Sequence, residues 1–147
     1  GFPNYPSGLI DQKYKHKFFC KKEEEGVVIN RVWVFASPLQ KFYTRLLNYF
    51  SLVFTSILFE LFNKRDYDVT IVSSPPLFLG ISGYVISRMK GTIFVLDIRD
   101  IWPKIGVDTG ELKKTSIFIK IAEKLENFLY KKANLITVVT ELKFCYL

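Results

Sequence analysis

Short apolar runs alternate with amphipathic stretches along most of the chain. In Val27-Val28-Ile29-Asn30-Arg31-Val32-Trp33-Val34-Phe35, one face carries Val28, Asn30, Val32 and Val34, and the other Val27, Ile29, Arg31, Trp33 and Phe35. Both faces are largely apolar and β-branched or aromatic, which predicts a strand covered on both sides. Before it lies a charged ribbon, Lys17 to Glu25, in which Phe18-Phe19-Cys20 suits a short strand, and Gly26 marks a turn. Residues 1–16 contain Pro3, Asn4, Pro6, Ser7 and Gly8 and read as loop. Ser37-Pro38 predicts the opening of a long helix to about Asn63, with Pro38 suited to a first helical position.

The second half repeats a simpler rhythm. Tyr67 to Val72 reads as a buried strand, and Ser73-Ser74-Pro75-Pro76 ends it and opens a helix to about Lys90. Thr92 to Asp97 reads as the next strand, followed by a loop to Gly110 and a helix from Glu111 to Lys132. In that helix Ile117, Ile121, Leu125, Phe128 and Leu129 are predicted to line one face, with Lys113, Lys120, Lys124 and Lys131 off it. Leu135 to Val139 is the last strand. Alternation of strand and helix through Val69, Phe94 and Ile136 predicts a parallel sheet with right-handed crossovers and flanking helices, a Rossmann-like α/β domain.

The long helix has a second reading. Leu46 to Phe59 carries no charge and is bounded by Arg45 and Glu60. It is shorter than the roughly 20 apolar residues of a membrane span and is interrupted by Asn48, Ser51, Thr55 and Ser56. It suits either a helix packed on a sheet or an interfacial helix that also touches lipid. For the latter, Lys41, Phe42, Tyr43 and Arg45 supply the basic and aromatic mixture favoured at headgroup level.

Composition narrows the class. The 147 residues are 49% hydrophobic and 16% aromatic, which excludes a disordered chain. The net charge of +7 favours anionic partners without choosing among phosphorylated metabolites, acidic lipid and nucleic acid. Met89 is the only methionine, so the chain reads as part of something longer. Cys20 and Cys145 are too few for a disulfide framework or a structural zinc site and read as reduced thiols. The only histidine, His16, lies in the basic run Lys13-Tyr14-Lys15-His16-Lys17, which argues against a histidine-dependent hydrolase centred there.

In an open parallel sheet, ligands bind beyond the carboxyl ends of the strands. Three segments are predicted to fall there. Ser73 and Ser74 precede a helix, where they either cap its amides or contact a ligand. Asp97-Ile98-Arg99-Asp100-Ile101-Trp102-Pro103 places two carboxylates, a guanidinium and an indole directly after a strand. An Asp there can serve as a base or orient a sugar hydroxyl. Arg99 can pair with phosphate or hold a neighbouring Asp ionised, and Trp102 can stack on a sugar or pack. The competing reading is a structural ion pair beneath a loop. Thr140-Glu141 is the third segment. No Gly-x-Gly-x-x-Gly loop is present, and Gly80 and Gly83 fall inside a predicted helix.

Six ordered stretches make the sequence resemble glycosyltransferase family 4, especially the members that build O-antigen, colanic-acid and similar surface polysaccharides. They are residues 1–8 (Gly-Phe-Pro-Asn-Tyr-Pro-Ser-Gly), Arg31-Val32-Trp33, Arg45-Leu46-Leu47-Asn48-Tyr49, Ser74-Pro75-Pro76-Leu77-Phe78, Arg99-Asp100-Ile101-Trp102-Pro103 and Ile136-Thr137-Val138-Val139-Thr140. The resemblance implies the N-terminal, acceptor-side domain of a two-domain GT-B enzyme that retains anomeric configuration and needs no metal. It implies a nucleotide-sugar donor as substrate rather than a cofactor, and a saccharide acceptor, commonly lipid-linked, at the inner face of the plasma membrane. A whole C-terminal donor domain and an upstream strand, glycine loop and helix are expected outside residues 1–147. Carried over residue by residue, the resemblance implies Asp100 with Arg99 near the reaction centre. Asn4, Tyr5, Ser73, Ser74, Asp97 and Trp102 are the expected acceptor contacts, with Lys41, Phe42 and Arg45 toward the membrane. The alternatives are a non-enzymatic basic membrane-surface binding module, or a truncated remnant of the enzyme that is inactive alone. No nucleic-acid-binding motif is present.

Overall fold

The computed structural model describes residues 1–4, 7–39, 41–100, 102–103 and 116–139. The chain divides into two compact units, residues 1–63 and 64–147.

In the first unit, β1 (Phe19–Glu24) and β2 (Val27–Val32) pair antiparallel, with Glu24 opposite Val27 and Phe19 opposite Val32. The charged ribbon is therefore a strand, wider than the Phe18-Phe19-Cys20 expected. The two-residue loop Glu25-Gly26 has φ of 49° and 79°, the double left-handed turn whose twist matches a hairpin and which a glycine accepts without strain. β2 ends at Val32, not Phe35, and belongs to a two-stranded sheet in which Val27 is exposed. The expectation of a strand covered on both sides is corrected: apolar composition here reflects hairpin pairing, not a central position.

The long helix α1 spans Phe42–Phe62. It does not open at Ser37-Pro38. Ser37 Oγ instead accepts from Leu39 N at 3.2 Å, a local turn that competes with helix, and Lys41 at the cap is extended. Three polar side chains of α1 satisfy the backbone that follows β2. Asn48 Nδ2 donates to Phe35 O at 2.7 Å, Ser51 Oγ accepts from Phe35 N at 2.8 Å, and Thr55 Oγ1 donates to Trp33 O at 2.8 Å. Three of the four polar residues that counted against a membrane span, Asn48, Ser51 and Thr55, thus face the segment that follows β2.

The second unit holds a three-stranded parallel sheet in the order β3-β4-β5, formed by β3 (Val69–Ser74), β4 (Ile93–Ile98) and β5 (Leu135–Val138). The strands are joined by α2 (Leu79–Lys90) and α3 (Ile117–Lys132). This is a mixed α/β unit compatible with a Rossmann-like fold, as the alternating pattern predicts. β3 runs to Ser74, so the serines end a strand and do not cap a helix. α2 starts at Leu79 behind i→i+3 bonds from Leu79, Gly80 and Ile81 to Pro76, Leu77 and Phe78.

Both helices pack on one face of the sheet. Leu77, Phe94, Leu96, Ile98, Ala122 and Leu129 form the core, joined by Val72, Ile136 and Val138. Gly83 lets α2 approach this face, because a Cβ there would collide with Val72 Cγ2 and lie 3.0 Å from Phe94 Cε2. On the opposite face Val69, Ile71, Ile93 and Leu135 are exposed, while Val95 on the middle strand is buried. The inward face of α3 also differs from expectation. Leu129 is buried and Leu125 packs against the core as expected, but Ile119 and Ala122 are buried with them, whereas Ile117, Ile121 and Phe128 are exposed. Ser116 caps α3 by accepting from Phe118 N at 3.3 Å, and its expected start at Glu111 lies outside the described residues.

Candidate functional site

The second unit brings three polar residues into one row. Register pairs Ser73 with Asp97 and Asp97 with Thr137, so all three lie side by side near the carboxyl ends of β3, β4 and β5. Their side chains share the face opposite the helices, because residues two apart along a strand point the same way and Phe94, Leu96 and Ile98 hold the other face.

Asp97 is the hub. Its Oδ2 accepts from Ser73 Oγ at 2.9 Å and from Arg99 Nε at 3.0 Å, and its Oδ1 accepts from Thr137 Oγ1 at 2.9 Å. The Arg99 guanidinium and the two hydroxyls hold the Asp97 carboxyl below its ordinary range. An ionised carboxylate with three donors is a poor proton acceptor near neutrality and a good anchor for a donor group. Asp97 therefore suits orientation of a hydroxyl, not general-base work.

Arg99 plays one of the parts expected for it: it holds a neighbouring Asp ionised. The Asp97–Arg99 ion pair sits at the sheet edge with the Arg99 side chain 66% exposed. Arg99 N also donates to Ser74 O at 2.8 Å, which extends the β3–β4 pairing by one bond. Ser74 is buried, on the core side of the sheet, so it stands apart from the Ser73 row. Asp100 follows in a bend and is half-buried. Trp102 packs edge-on against Phe78 and Phe118, with ring centroids 5.7 and 5.8 Å away. Of the two roles considered for it, packing is the one its ring performs.

Sequence reasoning missed Thr137 as a site residue. The signal was available: Ser73, Asp97 and Thr137 each sit near the end of an apolar strand, on the same side of its alternation. Asn134 was also missed. Its Oδ1 accepts from Phe94 N at 2.9 Å and its backbone N donates to Phe94 O at 2.8 Å, so it fastens the start of β5 to β4.

Asn4, Lys41, Phe42 and Arg45 belong to the first unit. Tyr5, Thr140, Glu141 and Cys145 lie outside the described residues. A cavity of about 360 Å³ lined by Tyr84, Arg88, Thr92, Lys132 and Asn134 lies at the amino end of β4, the opposite end from the Asp97 row. Among the described residues no group of three His, Cys, Asp or Glu side chains could hold a metal ion. Comparison with protein-family models, with curated proteins and with solved structures finds no match to this chain.

Proposed function

We propose that this chain is the acceptor-side part of a GT-B glycosyltransferase of cell-surface polysaccharide synthesis, working with a donor domain that binds the nucleotide sugar. The observation that carries the reading is the Ser73–Asp97–Thr137 row at the carboxyl edge of a parallel sheet, where α/β proteins take their ligands. The six ordered sequence stretches described above support it independently.

In this reading Asp97 is a fixed hydrogen-bond acceptor for an acceptor-sugar hydroxyl, with Ser73 and Thr137 beside it in the same row. Asp100 and Arg99 lie nearest the transferred group, Arg99 held by its Nε on Asp97 so that its guanidinium meets phosphate in a set direction. The acceptor is a saccharide carried on a lipid diphosphate at the inner face of the plasma membrane.

Titration separates the acceptor side from the donor side. Calorimetric titration should give a binding response to a diphosphate-linked saccharide and none to a nucleotide sugar. Asp100→Ala should weaken the first response while leaving the circular dichroism spectrum intact. A response to nucleotide sugars alone would overturn the assignment.

A further inference from the structure

The outward face of α1 has the wrong polarity for water. Tyr43, Leu47, Phe50, Phe54, Leu58 and Leu61 recur at spacings of three and four, which places them on one stripe of a helix with about 3.6 residues per turn. All six are exposed, Phe54 at 67%. Asn48 and Thr55 lie about 100–120° round the helix from this stripe and are hydrogen-bonded to the backbone of Phe35 and Trp33, so the apolar stripe is turned away from that segment. α1 is 21 residues long, and its most apolar 18-residue window has a mean hydropathy of 1.3 with 11% of it buried, enough by length and composition alone for a membrane-crossing segment.

Three further observations select the occupant. The six half-exposed side chains offer roughly 500 Å², taking about 150–200 Å² for each large side chain, a patch size that marks interaction sites. A second copy of the chain would need about 800 Å² per partner and would bring one +7 protein against another. The stripe itself holds no acidic residue, and at its amino end Lys41 Nζ lies 6.0 Å from the Tyr43 ring centroid, a cation beside an aromatic at the margin of the patch.

We propose that α1 lies in the plane of an anionic bilayer surface, with Phe50 and Phe54 at the centre of the buried stripe and Lys41 at its headgroup margin. The inference stands whether or not the chain takes part in glycosyl transfer. It also redistributes the contacts expected from sequence. Arg45 is nine residues before Phe54, about two and a half turns, and so points away from the stripe.

The test is flotation of the 147-residue chain with phosphatidylcholine vesicles, with and without phosphatidylserine. The chain should float with the anionic vesicles. Phe50→Ser/Phe54→Ser should lower partitioning at least about tenfold, Lys41→Ala about fivefold, and Arg45→Ala by much less. Phe54 is the most exposed of the six, so Phe54→Ser alone should keep the parent's circular dichroism spectrum and lower partitioning in the same direction. As a second measurement, Phe54→Trp should be quenched by brominated acyl chains. The proposal fails if the double variant floats like the parent, if Phe54→Trp is not quenched, or if the stripe variants convert a dimer to a monomer while the parent does not float.

Discussion

Thr137 and Asp97 are forty positions apart in sequence and meet at 2.9 Å, hydroxyl to Oδ1, across the register step that pairs them in β5 and β4. Ser73 approaches the same carboxylate from β3 on the other side. Asp97 is thus ionised because its neighbours on both strands and Arg99 donate to it. A depressed carboxyl pKa contributes stability that is present above the unfolded-state value and lost as pH falls through the folded one. Asp97→Asn should therefore lower the melting temperature at pH 7. The difference from the parent should shrink below about pH 4, the ordinary aspartate range. Thr137→Val should cost about 0.5–1 kcal/mol at neutral pH. Parallel melting curves of parent and Asp97→Asn from pH 7 to 3 check the sign.

Glu126 moves the other way. Burial raises its pKa, and Tyr130 Oη donates to Glu126 Oε1 at 2.7 Å. A raised carboxyl pKa means stability present below the unfolded value and lost as pH rises through the folded one. Glu126→Gln keeps an acceptor for Tyr130 and removes the charge, so it should raise the melting temperature at pH 7 by roughly 1–2 °C. The gain should vanish in acid, where the parent carboxyl is protonated.

Gly83 sits where α2 crosses β3 and β4. Alanine is worth up to about 1 kcal/mol over glycine in a helix interior, but the added methyl would collide with Val72 and crowd Phe94. Overpacking of this kind costs about 1–3 kcal/mol. Gly83→Ala should therefore destabilise the chain despite its better helix propensity, as measured by urea midpoint. A stabilised variant would show that α2 can slide.

Asn134 uses both a side-chain and a backbone group on Phe94, a residue 1% exposed. Asn134→Ala leaves the Phe94 amide without its carbonyl partner and should cost about 1–2 kcal/mol. Asn134→Asp supplies an acceptor and should recover most of it. Amide exchange at Phe94 distinguishes the two variants.

The parallel unit was legible in the sequence because its strands are short, apolar and separated by helix-length stretches around Val69, Phe94 and Ile136. The hairpin was only half legible. Lys21 to Glu24 have the composition of solvent-exposed chain, and nothing local shows that they pair with Val27 to Asn30 except the Glu25-Gly26 turn. The inward face of α3 was half legible: Leu125 and Leu129 were placed on it, but Ile117, Ile121 and Phe128 look as apolar as Ile119 and Ala122, and only packing against the sheet decides between two adjacent stripes. Asp97 was read within the Asp97 to Trp102 cluster, but its role as the common acceptor was not. That role depends on register across three strands, which a single segment does not encode.

The tie between strands at Asp97 has a consequence for ligand exchange. A hydroxyl that binds Asp97 must share the carboxylate with Ser73 or Thr137, each of which crosses to a different strand. Occupancy and the fastening of the strand tips therefore draw on the same two oxygens. A bound ligand that displaces either hydroxyl would announce itself as faster deuterium uptake at the ends of β3 or β5.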